Sequence, residues 1–345
     1  MTLHSEILEQ PQRLADLISQ ESAHIQAAAA AILERDIHMV LIAARGTSHN
    51  AGKYANYLLG NHNQLPVMFA APSLYTHYQT PPLLKNTLAI GISQSGQSPD
   101  IVSVVKNAHA QNCYSLAITN DPDSPLAQAA DTVLNLRAGT EKAVAATKTY
   151  TTQLLILALL SAALSADQQA RAEIEKLPGW VEQVLKLDEF IAQAANRYRY
   201  MQQCVVLGRG YNFSTANEWA LKMKELTYVE ADAYSSADFM HGPIAMIYPG
   251  FPVMAIAPQG KVYPTMLETI AHLKQNLSAE LVVISNGKEA LDLAQVALPL
   301  PADIPEWLSP IPAIVAGQLF AYHLTRSKGN DTETPRSIHK VTKTE

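Results

Sequence analysis

Cysteine is nearly absent: Cys113 and Cys204 are the only two in 345 residues. Both sit in apolar surroundings, NCYSLAI and QCVVLG, and read as buried thiols rather than as a disulfide pair or a metal site. A reducing, cytoplasmic setting is the expectation that follows. Basic residues are also few, with 25 Lys and Arg against 31 Asp and Glu and a net charge of −6. A nucleic-acid binder usually carries a basic face, so no nucleic-acid partner is expected. No apolar run reaches the length of a membrane span. The longest, Leu154 to Leu160, extends to Leu164 only through Ser161 and fits a buried helix, so no membrane partner is expected. The opening, MTLHSEILEQPQRL, is polar and amphipathic and does not read as a signal peptide. Neither a Gly-Lys-Ser/Thr turn nor a dinucleotide glycine fingerprint occurs. No His/Cys cluster shows metal-ligand spacing, and neither a metal nor another cofactor is expected.

What remains is a chain that is 48% hydrophobic and 16% charged, long enough for two domains. Residues 1–36 have helical spacing. His38 to Ala44 is a short apolar run of the kind that forms a buried parallel strand. Arg45 to Asn50 then forms a polar loop ahead of a helix from Ala51 to Leu59. Further strands are expected at Val67 to Ala70, Thr87 to Ile92, Ser115 to Thr119 and Thr132 to Leu136, with helices between them. A long helix is expected from about Ala143 to Leu164, then a charged helical connector. The pattern restarts at Gln203 to Leu207, with later strands at Pro252 to Ala257, Glu280 to Ser285 and Val296 to Pro299 and a helix at Ile311 to Arg326. Alternation of this kind predicts an α/β fold with doubly wound parallel sheets. VLIAARGTSHN at 40–50 and VVLGRGYN at 205–212 form a weak internal repeat. The expected organisation is an N-terminal helical segment at 1–35, one α/β domain at 36–164, a connector at 165–199, a second domain at 200–328 and a tail at 329–345.

The densest stretch is Asn217 to Ile244, NEWALKMKELTYVEADAYSSADFMHGPI. It reads as a helix followed by an irregular loop. Glu218, Lys222 and Glu225 fall at i, i+4 and i+7 and share one helix face, as a surface ion-pair ladder or as a lined site. His241 precedes Gly242 and Pro243, a pairing that fixes an imidazole in a constrained loop and favours a functional reading. In the first half, Gly46-Thr47-Ser48 and Ser93-Gln94-Ser95-Gly96-Gln97-Ser98 follow strands, where open α/β sheets bind ligands. Ser98 suits an N-cap and Pro99 the first helical position. Helix amides and hydroxyls together can cradle an anion without a lysine. A third candidate is Thr140 to Lys148: Glu141, Lys142 and Lys148 can be read as solvated helix-end charges, while the small residues at 143–146 let backbone approach a ligand.

GTSHNAG, SQSGQSPD, VAATKTYTTQL, the long central motif and the tail TPRSIHKVTKTE resemble the isomerase half of glucosamine-6-phosphate synthases, a tandem of sugar isomerase (SIS) domains. The resemblance covers nearly the whole chain. It implies two flavodoxin-like SIS domains, each a parallel sheet flanked by helices, and a homodimer with active sites shared between subunits. It implies a phosphate pocket at Thr47, Ser48, Ser93, Gln94, Ser95 and Ser98, backbone contact to the sugar at Val144, and proton transfer by Glu225, with Glu218 and Lys222 lining the same face. It further implies ring opening by His241 in the neighbouring subunit's site and a tail lysine, Lys340, that forms a Schiff base in the synthase. Two positions depart from the synthase pattern: Ala146 stands for a sugar-holding serine and His339 for a small residue.

The chain opens Met1-Thr2-Leu3, without the synthase's cysteine nucleophile. The expectation from the resemblance is therefore a glucosamine-6-phosphate deaminase, with a fructosamine-6-phosphate deglycase or an ammonia-dependent synthase as enzyme alternatives. A non-catalytic sugar-phosphate-binding regulator is the alternative of another class; it predicts loss of the acid–base residues, which are present.

Overall fold

The computed structural model describes residues 2–340; Val341 to Glu345, the end of the expected tail, lie outside them. The first half runs α1 (Leu3–Leu8), α2 (Gln10–Leu33), β1 (Met39–Ala44), α3 (Gly46–Asn63), β2 (Val67–Phe69), α4 (Ser73–Thr76), β3 (Thr87–Ile92), α5 (Pro99–Ala110), β4 (Ser115–Thr119), α6 (Pro125–Ala129), β5 (Thr132–Asn135) and α7 (Lys148–Leu164). Three helices follow: α8 (Gln168–Ile174), α9 (Leu177–Leu185) and α10 (Asp188–Arg197). The second half runs β6 (Gln203–Gly208), α11 (Asn212–Lys222), β7 (Glu230–Ser235), α12 (Ser236–Met240), β8 (Pro252–Ile256), α13 (Tyr263–Gln275), β9 (Glu280–Ser285), α14 (Lys288–Asp292), β10 (Val296–Pro299) and α15 (Pro310–Ser327).

Two compact units result. One, the N-terminal sheet unit, holds residues 12–141, 148–175 and 339–340; the other, the C-terminal sheet unit, holds residues 2–11, 142–147 and 176–338. Each contains one five-stranded sheet, all of its pairings parallel, in the orders β2-β1-β3-β4-β5 and β7-β6-β8-β9-β10. The expected α/β class and the two parallel sheets are observed. Strands β3, β4 and β8 are buried along their whole length, as continuous apolar runs covered on both faces must be.

Each sheet is sealed by its own helices. In the N-terminal sheet unit, Leu41, Ala43 and Ala117 pack with Val104 and Val105 of α5 and Leu126 of α6. In the C-terminal sheet unit, Val205, Val253, Leu281 and Val283 pack with Met266, Ile270 and Leu273 of α13. Each such Val, Leu, Ile or Met side chain contributes roughly 1.5–3 kcal/mol when fully buried. Helix α15 is buried for most of its length. Gly317 lets it approach α11, since a Cβ there would lie 3.0 Å from the Trp219 ring.

Three local expectations are corrected. Gly46 to Asn50 is not a loop but the start of α3, and Gly46, at φ +50°, turns the chain directly out of β1. Helix α7 begins at Lys148 rather than at Ala143. Glu230–Ser235, expected in an irregular loop, is strand β7 at a sheet edge. Among the described residues, no helix is long and apolar enough to cross a membrane.

Candidate active site

Helix α11 places Glu218 and Lys222 one turn apart, and a single π-helical turn, Met223–Thr227, then carries Glu225. The Thr227 hydroxyl donates to the Met223 carbonyl at 2.6 Å, a back-bond of the kind that loosens a helical ladder. Widened turns of this sort concentrate at functional sites. Lys222 Nζ lies 2.5 Å from Glu225 Oε2 and 3.4 Å from Glu218 Oε1. The Glu218 and Lys222 side chains are 0% and 1% exposed, whereas Glu225 keeps 24%. The stripe is therefore a buried ion triad with one carboxylate reachable from solvent, not a surface ladder. Burial by itself lowers the pKa of an ammonium, but Glu225 and Glu218 outweigh it and raise that of Lys222.

The π-helical turn ends at Tyr228, which sits at φ +59°. Its hydroxyl accepts from the Arg336 amide at 3.0 Å, and the Arg336 guanidinium lies 4.4 Å from its ring centroid. The tail is thus moored at Arg336 to the segment that carries Glu225. His241 follows α12 and is exposed. Gly242, at φ +148°, holds a backbone conformation that a side chain would strain. Among the described residues no hydrogen bond or ion pair links the His241 side chain with the triad. Val144 is half-buried in the irregular segment ahead of α7.

In the N-terminal sheet unit the strand order reverses between β1 and β3. Open α/β sheets bind ligands at such a switch point. Thr47 and Ser48 lie in the first turn of α3, and Ser48 is buried, its hydroxyl accepting from Gln153 Nε2 at 3.0 Å. The Ser93–Ser98 loop leads into α5, with Ser98 at the N-cap and Pro99 at the first helical position. The Ser98 side chain does not cap the helix, so its hydroxyl is not spent on the helix amides. Ser93 Oγ accepts from the Gly96 amide at 3.1 Å and Ser95 Oγ from the Gln97 amide at 3.3 Å. Gly96 sits at φ +62°, and a Cβ there would lie 2.1 Å from Ser124 Oγ. Nearby, burial first, then Lys53 and Arg45, lowers the pKa of His49.

Glu141 and Lys148 are buried, not solvated; Lys142 is exposed. Glu141 accepts from the Thr149 amide at 3.2 Å and the Thr149 hydroxyl at 2.9 Å, so its carboxylate holds the first turn of α7. Lys340 Nζ lies 2.6 Å from Glu141 Oε2 and is 23% exposed. Lys148 donates to the Thr140 carbonyl at 2.6 Å. Gln94 and Glu141 line a polar cavity of about 540 Å³ with Arg13, Asn120, Arg137 and Thr140. The serines of the Ser93–Ser98 loop do not line it. The sequence gives no signal for Arg13 or Arg137, which stand outside every motif.

The structure thus brings Glu218, Lys222 and Glu225 into contact, gathers Ser93, Gln94, Ser95 and Ser98 in one loop, and joins Lys340 to Glu141. Comparison with known proteins supplies the family. A glutamine–fructose-6-phosphate aminotransferase (isomerizing) of Pyrococcus horikoshii is 35% identical over 341 residues, 97% of this chain and 56% of that protein. A Thermus thermophilus protein of the same name is 34% identical over 316 residues, 89% of this chain and 52% of its own length. The chain spans about half the length of the curated relatives it matches. The C-terminal domain of glucosamine-fructose-6-phosphate aminotransferase from Francisella tularensis superposes with a TM-score of 0.88 at 29% identity, covering 96% of this chain and 98% of that one. A glucosamine-6-phosphate deaminase from Thermotoga maritima covers 100% of both chains with a TM-score of 0.80 at 21% identity, a likeness of fold alone. The family described as SIS domain matches residues 34–163 and 200–325, and the chain belongs to it, with two copies of the domain.

Proposed function

We propose that the protein is an aldose–ketose isomerase of amino-sugar 6-phosphates that releases ammonia: a glucosamine-6-phosphate deaminase giving fructose 6-phosphate. The observation that carries the reading is the buried triad in which Lys222 and Glu218 are sealed and Glu225 alone is reachable. A carboxylate anchored on one side by a buried ammonium and open on the other is placed for proton transfer. The relatives' names, which specify isomerising aminotransferases of fructose 6-phosphate, support the substrate class.

In this reading the hydroxyls and amides of Thr47, Ser48, Ser93, Gln94, Ser95 and Ser98 take the phosphate, and Val144 offers backbone to the sugar. His241 shuttles the proton that opens the ring, and its exposure fits service to a partner subunit's site in a homodimer. Glu225 takes the proton from C2 of the open-chain aldehyde and delivers it to C1. The product is the ketimine at C2; water adds to it, the C–N bond breaks, and ketose phosphate and ammonia leave. Lys222 acts through Glu225, and Glu218 is the counter-charge that keeps Lys222 buried. Lys340, paired with Glu141, is the amine available to the sugar carbonyl.

Cys113 and Cys204 are buried, and burial pushes both up, Cys204 to about 12. Neither thiol is a reactive thiolate; release of ammonia is the direction proposed. The test is to supply glucosamine 6-phosphate and follow ammonia and fructose 6-phosphate. Sugar-phosphate binding without ammonia release overturns the deaminase; release of an amino acid from a fructosamine 6-phosphate instead makes it a deglycase. Glu225→Gln should lower turnover by about 10²–10⁴ with phosphate affinity nearly unchanged.

A further inference from the structure

We propose that His4, Asp188 and His323 bind one divalent transition-metal ion of the zinc class, at a site separate from the residues assigned to the reaction. The three side chains come from α1, α10 and α15 of the C-terminal sheet unit. His4 Nε2 lies 2.8 Å from Asp188 Oδ2, and His323 Nε2 lies 2.6 Å from Asp188 Oδ1. One ligand atom from each falls within 4.8 Å of the others. Two imidazoles and a carboxylate are the donor set of many zinc sites, and an open fourth position takes water. Side-chain exposures of 28% for His4, 25% for Asp188 and 11% for His323 leave that fourth position accessible.

The rings are held before any ion arrives. His4 stacks on Tyr322 with centroids 4.7 Å apart and planes 5° from parallel. His323 meets the Tyr322 ring edge-on at 5.0 Å and the His4 ring at 5.8 Å. Helix α1 is fixed as well: Thr2 and Ser5 form a capping box, and the Leu3 amide donates to Glu333 at 3.1 Å. Without metal, both imidazoles can donate Nε2–H to the one carboxylate. Tetrahedral bonds of about 2.0–2.2 Å place ligand atoms roughly 3.3–3.6 Å apart, so an ion has to push the carboxylate back from the 2.6 and 2.8 Å contacts and hold the two imidazole nitrogens, which lie within 4.8 Å of each other, at that spacing. Nitrogen donors select zinc, cobalt or nickel over magnesium and calcium, which favour oxygen. The separations of 184 and 135 residues explain why no motif shows the site.

The test uses untagged, chelator-treated full-length protein, titrated with Zn²⁺ by calorimetry and with Co²⁺ by visible absorption. The expected result is one ion per chain, a tetrahedral Co²⁺ spectrum and no competition by Mg²⁺. His4→Gln and Asp188→Asn should each weaken binding at least tenfold, and His4→Gln/His323→Gln should abolish it. Zn²⁺ should raise the melting temperature of the parent but not of His4→Gln. No saturable binding, or binding undiminished in His4→Gln, overturns the proposal; His4 is the most exposed ligand, so that variant is expected to fold whatever becomes of His323→Gln.

Discussion

The two sheets share a strand order and differ in what stands at the switch point. After β1 and β3, the N-terminal sheet unit presents hydroxyls and amides: Thr47 and Ser48 on α3, and the Ser93–Ser98 loop ahead of α5. After β8, in the C-terminal sheet unit, the equivalent amides are already taken. Glu306 Oε2 accepts from the Lys261 amide at 2.8 Å and Oε1 from that of Val262 at 3.3 Å, just ahead of α13. Gly260 makes room for it, because a Cβ there would lie 2.3 Å from the Glu306 carboxyl carbon. An internal carboxylate thus stands where an anionic ligand would bind. The polar chemistry of that unit lies instead in α11, at Glu218, Lys222 and Glu225. Both units keep the strand order, and the side chains decide which switch point is open.

The comparison can be broken at graded points. Removing Glu218 should cost most, because Lys222 would lose its fully buried carboxylate partner; Glu218→Ala should lower stability by about 3–5 kcal/mol in urea denaturation. A loss below about 1 kcal/mol would show that Glu225 alone suffices. Gly96→Ala forces a side chain into φ +62° and against Ser124. It should cost about 1–3 kcal/mol and weaken competitive inhibition by inorganic phosphate. Unchanged inhibition would separate the loop from anion binding. Glu306→Ala should cost about 1 kcal/mol and convert the closed switch point into an open one. Phosphate should then raise the melting temperature of the variant more than that of the parent; equal shifts would end the proposed equivalence of the two loops.

The smallest effect concerns acid. The folded pKa of His49 lies below the ordinary 6.5, so the unfolded chain binds more protons in that window. Stability on this account is lost as pH falls below about 6.5 and levels off beneath the folded pKa. His49→Gln should flatten this part of the melting-temperature profile, and an unaltered profile would assign the acid sensitivity elsewhere.

Much of the fold is legible because apolar runs identify strands buried on both faces. MVLIAA, TLAIGI and PVMAI leave few alternatives. Strand β7, EADAYS, escapes this rule because an edge strand with exposed Glu230 and Asp232 carries no apolar run. The late start of α7 escapes it too: Glu141, eight residues before Thr149, holds the α7 N-terminus, and no local propensity encodes that contact. Helical spacing places Glu218, Lys222 and Glu225 on one face, yet spacing does not separate a solvated ladder from a sealed triad. Burial within the folded unit does.

By itself, then, the sequence determined the α/β class, the tandem repeat and which residues share a helix face or a loop, because periodicity and turn chemistry are local. The tertiary structure decided which charges are sealed, that Lys340 meets Glu141 across 199 residues, and that His4, Asp188 and His323 converge. Those outcomes depend on desolvation and on contacts far apart in the chain, which no window of sequence contains.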